Sequence, residues 1–261
     1  YEVGELFKKH EYLMESPALN AEEKKKFGDI RYVRAGKIEV MRSLQILSEF
    51  LSKYYNKSVI LLIDEYDVPM ARATSNGYYK EMLEIMKGFM QALKDNQCIK
   101  LAVITGCLKI AKESIFTGTN NFVSNTITSS RLNEYYGFVQ NEVDRILEDA
   151  EIKGKGDIMK KWYDGYHFGD VDVYCPWDVM CYVDDLQKNP NAKPDEYWKD
   201  TSDNAIIRSF IDYAGASITK KLETLMNGGY IIQRVDENLT YDYLHSSEEN
   251  LWSLMYLTGY L

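Results

Sequence analysis

Val59-Ile60-Leu61-Leu62-Ile63-Asp64-Glu65 is the stretch on which the reading of this chain turns. Five apolar residues run without polar alternation and end in two adjacent carboxylates. Such a run suits a strand covered on both faces in a parallel sheet. Upstream, Val40, Met41, Leu44, Leu47, Leu51 and Tyr54 recur at helical spacing, so residues 38–55 read as one amphipathic helix closed by Asn56. Downstream, Tyr79, Met82, Leu83, Met86, Phe89, Met90 and Leu93 form a single apolar stripe, the mark of a core-facing helix. Asp95-Asn96 then leads into a second apolar run, Ile99 to Thr105. Strand, helix, strand in this order predicts a parallel, right-handed βαβ unit.

Outward from that unit the chain changes character. Residues 1–34 read as helical, charged and irregular, and the lysine run of Asn20 to Phe27 as a solvated helix face. After about Tyr136 helices dominate: Asn141 to Ala150, Gly156 to Tyr163, and one opening at Pro176, a favoured first helical position. Asn189 to Pro194 is a polar loop, and helices resume near Asp203. Ser217 can cap a helix that stops at Asn227-Gly228-Gly229. Tyr230 to Val235 and Leu239 to Tyr241, joined by Asp236-Glu237-Asn238, read as a short hairpin. Ser246 with Glu249 is a capping box for the last helix.

Composition excludes several classes. The 261 residues carry a formal net charge of −9, which repels phosphate backbones and disfavours direct nucleic-acid binding. No stretch is apolar for the ~20 residues of a membrane span, so no membrane partner is expected. The four cysteines form no CxxC pair and there are three histidines, a poor basis for structural zinc. Cys98 and Cys107 flank an apolar strand and read as small buried hydrophobes. Reduced thiols suit a cytoplasmic protein. The 21 tyrosines suit half-buried and interface positions, so a protein partner or homo-oligomer is a weak expectation.

The carboxylate pair carries the chemistry. Magnesium on nucleotide phosphates takes hard oxygen ligands and keeps several waters. An aspartate at the carboxyl end of a parallel strand points into the crevice where such sheets bind ligands. Asp64 is therefore the candidate metal ligand and Glu65 the candidate base for an attacking water, the form of a Walker B element. The same pattern also arises wherever an apolar strand meets a loop. Thr105, at the tip of the second strand, is placed to bond the water or the terminal phosphate, or else is a threonine in an ordinary turn. Lys109 and Lys112 bring cations into the polar loop that follows, with Asn120 beyond them. That loop reads equally as solvated surface.

Six segments carry a more specific resemblance: LLIDEYDVP (61–69), TGCLKIAKESIFTGTNNF (105–122), EYYGF (134–138), WYDGYHFG (162–169), VYCPWDV (173–179) and ENLWSLMYLTGYL (249–261). In this order they resemble the bacterial AAA-ATPase-like family, in which a P-loop ATPase is followed by a PD-(D/E)XK nuclease-like domain. The resemblance implies ATP and Mg2+ as cofactors, with Asp64 and Glu65 as the Walker B pair and Thr105 as the sensor. It also implies a finger-like role for Lys109, where family members often carry arginine with its bidentate fork. Phosphate contacts from Lys112 and Asn120 are an expectation of the polar loop's own composition. The implied fold is α/β followed by an α-rich part: an incomplete P-loop NTPase parallel sheet (1–136), a helical lid (137–202) and a winged-helix-like element (203–261). Trp162, Tyr166 and Trp177 fall in the lid core, with Tyr166 and His167 also within reach of a nucleotide base.

No G-x-x-x-x-G-K-[ST] occurs in the chain. Family members place that phosphate loop ahead of the Walker B strand and the nuclease-like domain after the ATPase. The expectation is a fragment truncated at both ends, nucleotide-free and inactive alone, whose nearest partners are its own missing P-loop and nuclease-like domain. Two other functions fit the residues. One is a scaffold that binds nucleotide and barely hydrolyses it. The other is a metal-dependent phosphoesterase using Asp64, Glu65 and Asp67 as ligands for two metals.

Overall fold

The computed structural model describes residues 1–94, 96–107, 122–198, 216–239 and 247–261. The chain is mixed α/β and divides into two compact units, one of residues 1–122 with 233–254, the other of 123–232 with 255–261.

The first unit opens with α1 (Glu2–Lys8), a 3-10 turn (Glu11–Met14) and α2 (Ala21–Arg31). Asn20 starts α2 through a capping box: its Oδ1 accepts from the Glu23 N–H, and the Glu23 carboxylate accepts from the Asn20 N–H, each at 2.9 Å. The amphipathic stretch expected over 38–55 forms two helices, α3 (Lys37–Met41) and α4 (Ser43–Tyr55). Arg42, at φ −96° and ψ 6°, breaks them while the apolar spacing runs on across the break. Asn56 ends α4 in the left-handed region, as its position predicts. Phe7, Leu13, Phe27, Ile30, Leu47 and Phe50 close the core of this helical layer, with the Phe7 and Phe27 rings 5.0 Å apart.

Next come β1 (Val59–Ile63), α5 (Val68–Asn76), α6 (Tyr79–Gln91) and β2 (Ile99–Ile104). The two strands pair in parallel, with Ile60 opposite Leu101 and Leu62 opposite Val103, so the expected βαβ unit is present. Pro69 does more than turn the chain. It sits in the first turn of α5, where a missing N–H leaves no helical bond unmade.

One expectation fails at this sheet. β1 alternates half-buried and exposed, and Ile60, Leu62, Leu101 and Val103 present 57%, 71%, 52% and 46% of their surface on one face. Among the described residues the strand is covered on one side, by the layer that includes α4. Further along the chain, residues 230–239 form no strand, with Tyr230 and Ile232 largely exposed, so the expected hairpin is absent over Tyr230–Leu239. Its second arm lies partly outside the described residues. In the helix Glu248–Leu257, Leu251, Trp252 and Leu254 are buried.

The second unit contains α7 (Gln140–Asp149), α8 (Gly156–Tyr163), β3 (Asp164–Phe168), β4 (Val171–Tyr174), α9 (Pro176–Lys188) and a helix over Ala216–Met226. Val143, Leu147, Met159, Tyr163, Val179 and Tyr182 form its core. The helices expected here form, and between the second and third of them lies an antiparallel β3–β4 hairpin that the sequence reading did not name. Its turn needs Gly169, at φ 61°: a Cβ there would lie 2.6 Å from the Ser129 carbonyl oxygen. Trp162 and Trp177, expected in a lid core, are about half exposed. Tyr166 is half-buried and its phenol is pushed up chiefly by burial. No helix among the described residues is long and apolar enough to cross a membrane.

Candidate functional site

Parallel pairing decides which residues meet. Because β1 and β2 run the same way in register, their carboxyl-terminal tips lie side by side, and Asp64 arrives next to Thr105. The Thr105 hydroxyl donates to Asp64 Oδ1. The backbone ties the same two tips: the Thr105 N–H donates to the Ile63 carbonyl at 2.9 Å, and the Tyr66 N–H to the Thr105 carbonyl at 3.0 Å. The Glu65 N–H also donates to Asp64 Oδ1, at 3.0 Å. Both Asp64 and Glu65 are exposed, at the edge of the sheet and open to solvent.

Glu65 stands at φ 51°, a left-handed conformation that a side chain with a Cβ adopts at a penalty of about 1 kcal/mol. The turn it makes swings the chain from β1 into α5. The carbonyl of Asp67 then accepts from the Met70 and Ala71 N–H groups, both at 3.0 Å, and starts the helix. Tyr66 and Asp67 are buried beneath the exposed pair.

Asp67 Oδ1 accepts from the Cys107 N–H at 3.2 Å, a second tie between the β1 turn and the chain leaving β2. Gly106 lets the two come this close. A Cβ there would lie 2.6 Å from Asp67 Oδ1 and from two Tyr66 ring carbons. Cys107 is exposed, against the expectation of a buried thiol: the strand ends before it, and it belongs to the loop. Desolvation of the sulfur, followed by the carboxylates of Asp67, Glu65 and Asp64, pushes its thiol up, so the site disfavours a thiolate.

The structure therefore brings Asp64, Glu65 and Thr105 together. Lys109, Lys112 and Asn120 lie outside the described residues. Tyr166 and His167 belong to β3 in the second unit, where the His167 ring bonds the Asp172 carboxylate at 2.7 Å. The arrangement fits a single-carboxylate ligand for a hard cation that shares its shell with phosphates and water, with Asp64 as that carboxylate. It does not fit the two-metal phosphoesterase reading. Asp67 is 2% exposed and turned onto the Cys107 backbone. No group of three or more His, Cys, Asp or Glu among the described residues is arranged to hold a metal ion. The sequence reading treated Asp67 only as a metal ligand and passed over Gly106 as a packing requirement. The Thr-Gly pair at a strand end was the available signal for a close backbone approach.

Comparison with known proteins places this site inside a recognised segment. Residues 5–116 match the AAA-ATPase-like family model, described as predicted AAA-ATPase. The match contains both strands and every residue from Asp64 to Cys107. The chain is also 26% identical over 171 residues to an uncharacterized protein of the vnfD 5′ region of Azotobacter chroococcum mcd 1. That alignment covers 64% of this chain and 31% of the relative, so the chain spans under a third of its length. No solved structure matches the chain.

Proposed function

We propose, from the match of residues 5–116 to the AAA-ATPase-like family model, that the β1 tip is the Walker B element of an ATP-hydrolysing site. Asp64 holds the magnesium ion, Glu65 orients and deprotonates the attacking water, and Thr105 serves as the sensor. The observation that supports this most directly is the pairing of Asp64 with the Thr105 hydroxyl across the tips of two parallel strands. Ligands of open parallel sheets sit outside those strand ends.

Each group has a distinct physical task. Bound magnesium supplies charge neutralisation to the phosphates. Asp64 offers it one hard oxygen site, and the Thr105 hydroxyl and Glu65 N–H fix that carboxylate in one orientation. Glu65 is exposed in a left-handed turn, so its carboxylate is open to water, as a base acting on water requires. The chain spans under a third of the relative it matches, and the proposal is made for the full-length protein. Residues 137–202 are proposed as the lid.

Glu65→Gln in that protein keeps the shape and the turn but removes the base. Turnover falls by roughly 10²–10⁴-fold, the usual contribution of general-base catalysis, while ATP binding stays within a few-fold. Single-turnover hydrolysis alongside equilibrium nucleotide binding reads both quantities. Undiminished hydrolysis in the variant removes Glu65 from the role.

A further inference from the structure

We propose that Asp67 is the positioning residue of this site: it clamps the chain leaving β2 to the turn leaving β1, and so sets Thr105 against Asp64. The proposal rests on the ATPase reading for its kinetic consequence, but not for its geometry.

Three ties join residues 64–67 to residues 105–107. Two of them, the Thr105 hydroxyl to Asp64 and the Tyr66 N–H to the Thr105 carbonyl, lie at the strand tips. Both depend on where the chain goes next. The third tie, the Cys107 N–H to Asp67 Oδ1, lies past the end of the sheet, where no ladder bond holds the chain. Asp64 and Thr105 are both exposed, so water competes for their bond. Asp67 is 2% exposed, so its bond is shielded and has a charged acceptor, the stronger kind. Gly106 permits no side chain between the two segments, which keeps the clamp closed from the other side. The buried tie is therefore the one able to hold Thr105 in register against Asp64.

Asp67 touches neither the metal nor the water in this arrangement. Its loss is expected in the catalytic step more than in nucleotide affinity. Cys107 supplies a reporter that needs no nucleotide. The residue is exposed, while its thiol is pushed up by desolvation and by the Asp67, Glu65 and Asp64 carboxylates, so releasing the clamp and removing the Asp67 charge both speed its alkylation.

The experiment compares wild type, Asp67→Ala, Asp67→Asn and Gly106→Ala in the protein as encoded. It measures ATP turnover, the KM for ATP, and the rate at which iodoacetamide alkylates Cys107 by peptide mass analysis. Asp67→Ala is expected to lower kcat at least 10-fold with KM within about 3-fold, and to raise Cys107 alkylation at least 5-fold. Asp67→Asn keeps an oxygen acceptor for the Cys107 N–H and restores kcat to within about 3-fold of wild type. Gly106→Ala pushes on the same contact from the opposite strand and is expected to reproduce the Asp67→Ala pattern. It decides the matter if Asp67→Ala does not fold. Alkylation and kcat unchanged in Asp67→Ala, or an Asn variant as impaired as the Ala variant, overturns the proposal. A wild-type protein with no turnover overturns the ATPase reading instead, and the alkylation rate of Gly106→Ala, which keeps the Asp67 charge, still decides whether the clamp holds the loop: a rate unchanged from wild type overturns it.

Discussion

Glu65 is where stability and the proposed chemistry part company. Its left-handed φ of 51° costs about 1 kcal/mol that glycine would not incur, while glycine raises the entropy of the unfolded chain by a comparable amount. Its side chain is exposed and does not contribute to the core. Glu65→Gly is thus expected to melt within about 2 °C of wild type while losing ATP turnover in the encoded protein. Thermal unfolding followed by circular dichroism checks the first half. A melting temperature lower by many degrees would show that the Glu65 side chain supports the fold, and a strained residue kept for chemistry would no longer be the explanation. Backbone strain of this kind is invisible in sequence. Asp64 and Glu65 were legible as a pair because an apolar strand ended on them. The left-handed turn at Glu65 was not, since nothing in Asp-Glu-Tyr-Asp marks it.

At the level of elements, the β3–β4 hairpin carries the titration most open to test. The Asp164 side chain is 9% exposed, and its Oδ1 has no hydrogen-bond partner. Burial, followed by the charge of Asp172, pushes its carboxyl above the usual range, against the opposing pull of Lys160 at 3.8 Å. The fold therefore binds this proton more tightly than the unfolded chain does. Below the ordinary carboxylate range both states are protonated and nothing is lost. As pH rises through that range toward the raised value, ionisation in the unfolded chain draws stability away. Asp164→Asn removes the titration, so its melting temperature should exceed wild type by a few degrees at pH 7, with the gap closing toward about pH 3.5. A gap independent of pH would assign the effect to packing. The hairpin itself was readable but overlooked. Asp164 to Phe168 alternates half-buried and exposed, and Gly169 follows as the turn. The resemblance set WYDGYHFG in a helical lid, yet aromatics at alternating positions are strand formers. The opposite error occurred at Tyr230 to Val235, whose apolar residues resemble a strand, although the chain there pairs with none among the described residues. A strand needs a partner, which local pattern does not supply. Arg42 splits α3 from α4 for a similar reason: spacing records which residues face the core and says nothing of where the hydrogen-bond ladder stops.

Across the whole molecule, regular sheet is scarce among the described residues: two sheets of two strands each. A two-stranded sheet is marginal alone and depends on what packs against it. β1–β2 has such support on one face only, and Ile60, Leu62, Leu101 and Val103 leave a contiguous apolar strip on the other. The sequence read this strip as buried because an unalternating run implies two covered faces, and that inference concerned a sheet larger than the one described here. Exposed apolar strips favour self-association. Replacing Ile60 and Leu62 together with threonine puts a β-branched strand former at both positions while adding a hydroxyl to each. In the 261-residue chain the double variant should stay within about 0.5 kcal/mol of wild type, the usual range for exposed positions, while aggregating at higher concentration and binding less of a hydrophobic dye. In an encoded protein with further chain packed on this face, the same two changes would bury two hydroxyls and lower stability by roughly 2 kcal/mol or more. Denaturant unfolding of both proteins, wild type and variant, separates the cases. Equal losses in the two would mean the strip is already covered in the shorter chain, and light scattering would then show whether a second copy covers it.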